Sequence, residues 1–155
     1  MKQANSKVKL VDGGDLTTNL LFPGKKNIEA QIVCKKNGYI SGLEELRVIL
    51  KLLNIAFATK FSDGDKILTG QSILNLTGEV QHLLAAERTI LNFLQRMSGI
   101  TTLTKQFVKI AGSTLIVPTR KTWWGFLDKK ACVVGGAGTH RLNLADAVMI
   151  KDTHI

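Results

Sequence analysis

Apolar residues recur along this chain with two different periods. Residues 28–34 and 55–61 gather them into short runs that read as strands, and residues 66–76 read as a further strand interrupted at Gly70. Between the first two runs, Leu43, Leu46, Leu50 and Leu53 keep helical spacing. Glu44 and Glu45 fall in the first turn of that helix, where carboxylates favour the positive end of the helix dipole. Asn37-Gly38 is a hairpin signal because both residues tolerate positive φ. Ser62-Asp63-Gly64-Asp65 reads as a turn. Short strands with one helix predict a small α+β layer.

The longest helical pattern covers residues 79–97, with Val80, Leu83, Leu84, Leu91, Leu94 and Met97 as its apolar stripe. Arg88 lies one turn from Leu84 and from Leu91, so it borders that stripe. Ser98-Gly99 predicts a break, and residues 100–111 a second helix. At the other end, residues 1–11 read as a partly disordered lead. Asp12-Gly13-Gly14-Asp15-Leu16-Thr17-Thr18 reads as a turn rich in glycine and helix-capping residues.

Two later apolar runs each end in fixed positive charge. Leu115-Ile116-Val117 leads into Pro118-Thr119-Arg120-Lys121-Thr122, and Ala147-Val148-Met149-Ile150 into Lys151-Asp152-Thr153-His154. Their separation predicts one βαβ unit with parallel neighbouring strands. Parallel neighbours open their carboxyl ends on one face, where α/β folds bind ligands. Arg120, Lys121 and Lys151, with His140 and Arg141, would then converge on one mouth. Cations so gathered repel unless an anion lies among them. The expected ligand is a small polyanion carrying carboxylates, phosphates or both. A lone parallel pair also exposes its edges, so further strands are expected, from another chain or from the rest of a longer protein.

Composition narrows the partners. The chain has 155 residues, 45% hydrophobic and 21% charged, and a chain of this length buries about two-thirds of its unfolded surface in a core. A net charge of +9 makes nucleic acid the first partner to consider. Lys25-Lys26, Lys35-Lys36 and Lys129-Lys130 are scattered pairs, however, with no zinc-finger spacing and no aromatic-rich RNA-binding signature, so no nucleic-acid partner is expected. Cys34 and Cys132 match no metal or redox spacing and read as buried thiols. His82 has no partner at ligand spacing, and Asp63-Gly64-Asp65 has no further calcium ligands, so no metal site is expected among these residues. Without a signal core at residues 1–6 or a run of membrane-spanning length, the expectation is a cytoplasmic protein with no membrane partner.

Six segments in order carry a family likeness. They are residues 14–18, Glu87-Arg88-Thr89-Ile90-Leu91-Asn92-Phe93-Leu94-Gln95, Ser98-Gly99-Ile100-Thr101-Thr102, Thr119-Arg120-Lys121-Thr122, Gly135-Gly136 with His140-Arg141, and Ile150-Lys151-Asp152 with His154. Together they resemble quinolinate phosphoribosyltransferases, also called carboxylating nicotinate-nucleotide pyrophosphorylases, over residues 11–155. The resemblance implies an α/β fold. An α+β sandwich domain would cover residues 1–112, and residues 113–155 would hold the first strands of an open α/β barrel. It implies a homodimer or higher oligomer, and members roughly twice this length. A second chain carrying the C-terminal barrel half is then a candidate partner, and the chain alone should be catalytically silent.

The family reaction joins quinolinate to phosphoribosyl pyrophosphate, giving nicotinate mononucleotide, pyrophosphate and carbon dioxide. The resemblance implies substrate binding by Arg120, Lys121, His140, Arg141 and Lys151, with Thr119 beside them and with Lys121 and Lys151 as the catalytic cations. It implies that Arg88 reaches into a partner subunit's site. Magnesium would accompany phosphoribosyl pyrophosphate on ligands beyond this chain. Two adjacent carboxylates suit rigid cations, and arginine offers a bidentate fork. Preorganised positive charge also suits a departing diphosphate.

The chain departs from the family pattern after Thr122. Trp123-Trp124-Gly125-Phe126 replaces a Thr-Pro-Gly-like turn, and the segment up to Ala131 is about two residues short relative to that pattern. Pro118, Thr139 and Thr153 replace the usual residues before the charged positions, which are all kept. Trp123-Trp124 reads as loop packing. Gly135-Gly136-Ala137-Gly138 reads either as an anion nest or as a tight turn. Two other readings stay open: a non-catalytic anion-binding or dimer-forming remnant of the fold, and a molybdenum-transport-associated paralogue that shares the Arg-Lys-Thr, Gly-Gly and His-Arg motifs. The segment Ile150-Lys151-Asp152-Thr153-His154 favours the enzyme over that paralogue.

Overall fold

The computed structural model describes residues 15–155. The lead read over residues 1–11 and the start of the glycine turn at Asp12-Gly13-Gly14 lie outside the described residues. Asp15 caps α1 (Leu16–Leu21), its carboxylate accepting from the Thr18 N–H at 3.2 Å and from the Thr18 hydroxyl at 2.5 Å. β1 (Asn27–Val33), β2 (Gly38–Tyr39), α2 (Leu43–Leu52), β3 (Ala56–Ala58), β4 (Lys66–Ile67) and β5 (Ser72–Glu79) follow. The chain then runs straight into α3 (Val80–Ala111), and later into α4 (Phe126–Val134) and a 3-10 turn at Asp152–His154.

β5 is the centre of a three-stranded antiparallel sheet in the order β1-β5-β3, with Asn27 opposite Glu79 and Ala56 opposite Thr77. β2 and β4 pair separately as a two-stranded ribbon. Leu74 and Leu76 point inward and alternate with exposed Asn75 and Thr77, the period of a half-buried strand. Onto that inner face α2 brings Leu43, Leu46 and Leu50, and α3 brings Leu83, Ala86, Ile90, Phe93 and Met97, all buried. One apolar core therefore lies between sheet and helices, and its outer helix surface carries α4.

Besides the exposure of Cys132, four sequence expectations change. Asn37-Gly38 does not turn a hairpin, because β1 and β2 pair with different strands. Asn37 Oδ1 instead accepts from the Thr69 N–H and hydroxyl. Gly38 serves close approach, since a Cβ there would sit 2.8 Å from Thr102 Oγ1.

Ser98-Gly99 does not break the helix, and α3 is continuous for 32 residues. An internal glycine costs about 1 kcal/mol relative to alanine. That penalty is met by tertiary contacts on both sides. Ser98 Oγ accepts from the Ser41 N–H at 3.1 Å, Thr102 Oγ1 accepts from the Tyr39 N–H at 2.9 Å, and the buried Thr101 hydroxyl donates to the Ala131 carbonyl at 2.8 Å.

The apolar stripe of α3 is also rotated from the predicted one. Leu84 is exposed and Leu91 only half-buried, while Ile90 and Phe93 are buried. Cys34 is buried as expected, but Cys132 is half-buried; both are free thiols.

The fourth change concerns the βαβ unit. Its helix is present as α4, but residues 115–117 and 147–150 form no strands. The Ile116 carbonyl accepts from the Gly138 N–H at 2.9 Å, so residue 116 lies against the loop after α4. Parallel strands are stable when both faces are covered, and here Leu115, Val148 and Ile150 are largely exposed. Among the described residues, no helix is long and apolar enough to cross a membrane.

Candidate functional site

α4 begins after Gly125 with Phe126-Leu127, and the three consecutive charged residues that follow, Asp128, Lys129 and Lys130, leave the helix in three directions. Asp128 points to α3 and receives a two-pronged contact from Arg96, Nε to Oδ1 at 2.8 Å and Nη2 to Oδ2 at 2.6 Å. The Thr122 hydroxyl donates to the same carboxylate. The Arg96 hydrogen bond holds the Asp128 carboxyl below the usual carboxylate range, against the effect of burial, and Thr122 adds to it. Asp128 in turn raises the Arg96 pKa. The Arg96 guanidinium also lies 5.0 Å from the centre of the Trp124 ring, which stacks on Phe93 at 5.8 Å. Trp124 therefore packs, as the loop-packing reading expects, whereas Trp123 is fully exposed.

Lys130 points toward α2. Its ammonium lies 2.5 Å from both Glu44 and Glu45, and 3.9 Å from Asp63. Burial opposes its charge, but hydrogen bonds to the two glutamates outweigh burial and raise its pKa. Asp63 belongs to the turn read from the sequence. It accepts from the Leu43 N–H at 2.9 Å, and Gly64 beside it has φ 95°.

Lys129, between these two, is 4% exposed. Its ammonium donates to the Thr139 carbonyl, and to the Arg141 carbonyl at 3.1 Å. Lys129-Lys130, read from the sequence as one of several scattered pairs, thus has both lysines committed to partners within the fold.

The glycine stretch is the turn that ends α4, not an anion nest. The Gly136 N–H bonds back to the Val133 carbonyl at 2.8 Å and the Ala137 N–H to the Cys132 carbonyl at 3.0 Å, the double bond of a Schellman cap, with Gly136 at φ 94°. The Gly135 N–H goes to Ala131 and the Gly138 N–H to Ile116. All four N–H groups are used internally, and none is left for an anion. Gly135 itself is buried against α3.

The expected cations fall on three adjoining segments. Thr119, Arg120 and Lys121 are exposed on the loop between residue 116 and α4, where the Lys121 N–H donates to Thr119 Oγ1 at 3.1 Å. His140 and Arg141 follow Gly138, whose backbone is bonded to residue 116, so these two loops start side by side. Arg141 reaches the third segment, with Nη1 3.5 Å from the Ala147 carbonyl and Nη2 3.4 Å from Met149 Sδ. Its Nε is buried and has no partner among the described residues. Lys151 is exposed just beyond, its N–H donating to His154 Nδ1 at 3.2 Å.

His140 holds φ 52°, and its Nδ1 accepts from the Arg141 N–H at 2.7 Å. With Nδ1 used as an acceptor, Nε2 is the ring nitrogen left to act as a donor. Arg88 is exposed on α3 and makes no ion pair among the described residues.

Arg96, Asp128 and Lys129 were not legible as part of the site. Their partners lie 32 residues away for Arg96–Asp128, and 10 and 12 residues away for Lys129, at spacings that no motif marks. Among the described residues, no three His, Cys, Asp or Glu side chains are grouped to hold a metal ion. The donor set at hand does not fit magnesium.

The sequence pattern of the quinolinate phosphoribosyl transferase N-terminal domain matches residues 15–98, and that of the C-terminal domain of the same enzyme matches residues 100–155. The chain belongs to the quinolinate phosphoribosyl transferase family. It is 38% identical over 148 residues to quinolinate phosphoribosyltransferase (decarboxylating) 1b of Nicotiana tabacum, covering 93% of this chain and 42% of that protein. It is 36% identical over 147 residues to a probable nicotinate-nucleotide pyrophosphorylase (carboxylating) of Methanothermobacter thermautotrophicus, covering 91% and 53%. The crystal structure of nicotinate-nucleotide pyrophosphorylase from Ehrlichia chaffeensis superposes with a TM-score of 0.85 at 33% identity, covering 96% of this chain and 56% of that one. The chain spans about half the length of these family members.

Proposed function

We propose that this chain contributes the dicarboxylate-binding cations of a quinolinate phosphoribosyltransferase, which joins quinolinate to phosphoribosyl pyrophosphate and releases pyrophosphate and carbon dioxide to leave nicotinate mononucleotide. The observation that supports this reading is the adjacency of the three cationic segments through the Gly138–Ile116 hydrogen bond and the reach of Arg141 to residues 147 and 149. Arg120 and Arg141 supply forks for carboxylates, and His140 a donor at Nε2. Lys121 and Lys151 are the catalytic cations in this reading: fixed positive charge beside the sugar stabilises the diphosphate that departs as the pyridine nitrogen attacks. Thr119 orients Lys121 through the Lys121 N–H. No step is assigned here to magnesium; a carboxylate cluster beyond these residues would have to hold it.

Losing one charged hydrogen-bonding partner costs about 1.5–3 kcal/mol, roughly ten- to over a hundredfold in affinity. Calorimetry on the purified chain should therefore find quinolinate binding at least tenfold tighter than nicotinate, which has one carboxylate fewer. Added salt should weaken both, and Arg120→Lys should weaken quinolinate because lysine lacks the planar fork. Equal affinities for the two acids, unmoved by Arg120→Lys, would remove the dicarboxylate reading.

The working unit in this reading is a dimer in which Arg88, exposed on α3, completes the neighbour's site. In an active assembly, mixing Arg88→Ala with Lys121→Ala protomers should restore turnover above either parent. No recovery would count against a shared site.

A further inference from the structure

We propose that Asp128 and Lys129, successive residues of α4, are positioning residues that hold the two principal cationic loops of the anion site, Asp128 acting on the Arg120-Lys121 loop through Thr122 and Lys129 on the His140-Arg141 loop through its backbone carbonyls. The proposal rests on the reading of those loops as substrate-binding. Successive helical residues project about 100° apart, so one turn of α4 serves two loops and still leaves Lys130 for α2.

Neither side chain can meet a ligand directly. Asp128 is 7% and Lys129 4% exposed, and their polar atoms are already engaged. A buried ammonium is disfavoured unless its N–H groups find acceptors. Lys129 finds two, the Thr139 and Arg141 carbonyls, which bracket His140 on either side. His140 holds a positive φ of 52°, a conformation uncommon for residues other than glycine that persists where the surroundings over-determine it. A lysine gripping both flanking carbonyls supplies that constraint.

On the other arm, the Thr122 hydroxyl is tied to a carboxylate that is itself fixed bidentately by Arg96 of α3. The loop carrying Arg120 and Lys121 is thereby referred to the longest helix of the fold. The two arms differ in chemistry, so they are separable: one ends on a side-chain hydroxyl, the other on backbone carbonyls.

The test uses the full chain, with amide hydrogen exchange read by nuclear magnetic resonance. Lys129→Met keeps the apolar stem and removes the donors. It should speed exchange at the Gly138 and Leu142 amides, which are hydrogen-bonded to Ile116 and Asp146, by at least tenfold. The Lys121 and Thr122 amides should stay within twofold. Thr122→Val, close in shape to threonine, should do the reverse. Lys129→Arg, which restores donors, should recover part of the protection. Each loosening variant should also weaken quinolinate binding at least fivefold while the spectrum stays folded.

Unchanged exchange at Gly138 and Leu142 in a folded Lys129→Met chain would overturn the proposal. So would equal loosening of both loops by either variant, which signals general destabilisation. If Lys129→Met does not fold, Thr122→Val decides on the same criterion. If exchange divides between the loops as expected but the wild-type chain binds no dicarboxylate, the positioning claim stands and the substrate reading falls.

Discussion

Gly135→Ala adds a single methyl group at the point where the end of α4 meets α3, and the structure fixes what that methyl would meet. A Cβ at Gly135 would lie 2.6 Å from Thr104 Cβ, 2.7 Å from Thr104 Cγ2 and 3.0 Å from the Thr101 carbonyl oxygen. Carbon atoms pack at about 3.5–4.0 Å, so the overlap approaches a full ångström. Two of the three obstacles give little. Thr104 Cβ moves only with its backbone, and Thr101 O belongs to the α3 backbone next to the hydroxyl that binds Ala131. Gly135 has φ -73°, an ordinary helical value, so the cost is steric and not conformational. Overpacking of this kind costs about 1–3 kcal/mol, and the immobile backbone partner puts Gly135→Ala toward the upper end. At about 2–4 °C per kcal/mol for a chain of this size, Tm should fall by roughly 4–12 °C in a thermal melt followed by circular dichroism. Thr104→Ala removes Cγ2 together with the hydroxyl but leaves Cβ in place, and should rescue the variant partially. Gly136→Ala is the contrast: its nearest neighbour would be 3.6 Å away, but φ is 94°, so that variant suffers backbone strain without a clash and Thr104→Ala should not rescue it. A Gly135→Ala chain melting within a degree of wild type would refute the close approach of α4 to α3.

Leu46 is fully buried in the core, so Leu46→Ala should cost about 2–5 kcal/mol, read as a lower midpoint in urea. Asp128 has its folded pKa lowered by Arg96, so its contribution is present above the unfolded carboxylate value of about 3.9 and is lost as pH falls through the folded value. Asp128→Asn should therefore lower Tm by about 3–6 °C at neutral pH, with the difference from wild type shrinking below about pH 4; a difference that grows in acid would contradict the pairing.

The sequence by itself determined the identity and period of most elements. Leu43, Leu46 and Leu50 announce α2, and the pattern over residues 66–76 announces a strand broken at Gly70, because backbone propensity and side-chain period are local properties. It also marked every expected cation, since charged residues next to short apolar runs are visible without coordinates. What it could not determine depends on contacts between distant residues. Ser98-Gly99 reads as a breaker, yet α3 continues through it because Ser41, Tyr39 and Ala131 bond to that stretch. Lys129 and Lys130 read only as one of several scattered basic pairs, and the tertiary structure buries one beneath the His140 loop and pairs the other with Glu44 and Glu45. Gly135-Gly136 reads equally as a nest or a turn, and the choice falls to a turn once the Gly135, Gly136 and Ala137 N–H groups cap α4 and the Gly138 N–H bonds to Ile116. Residues 115–117 and 147–150 have the apolar character of strands, but a strand is a property of pairing and of cover on both faces, which no single segment carries in its own composition.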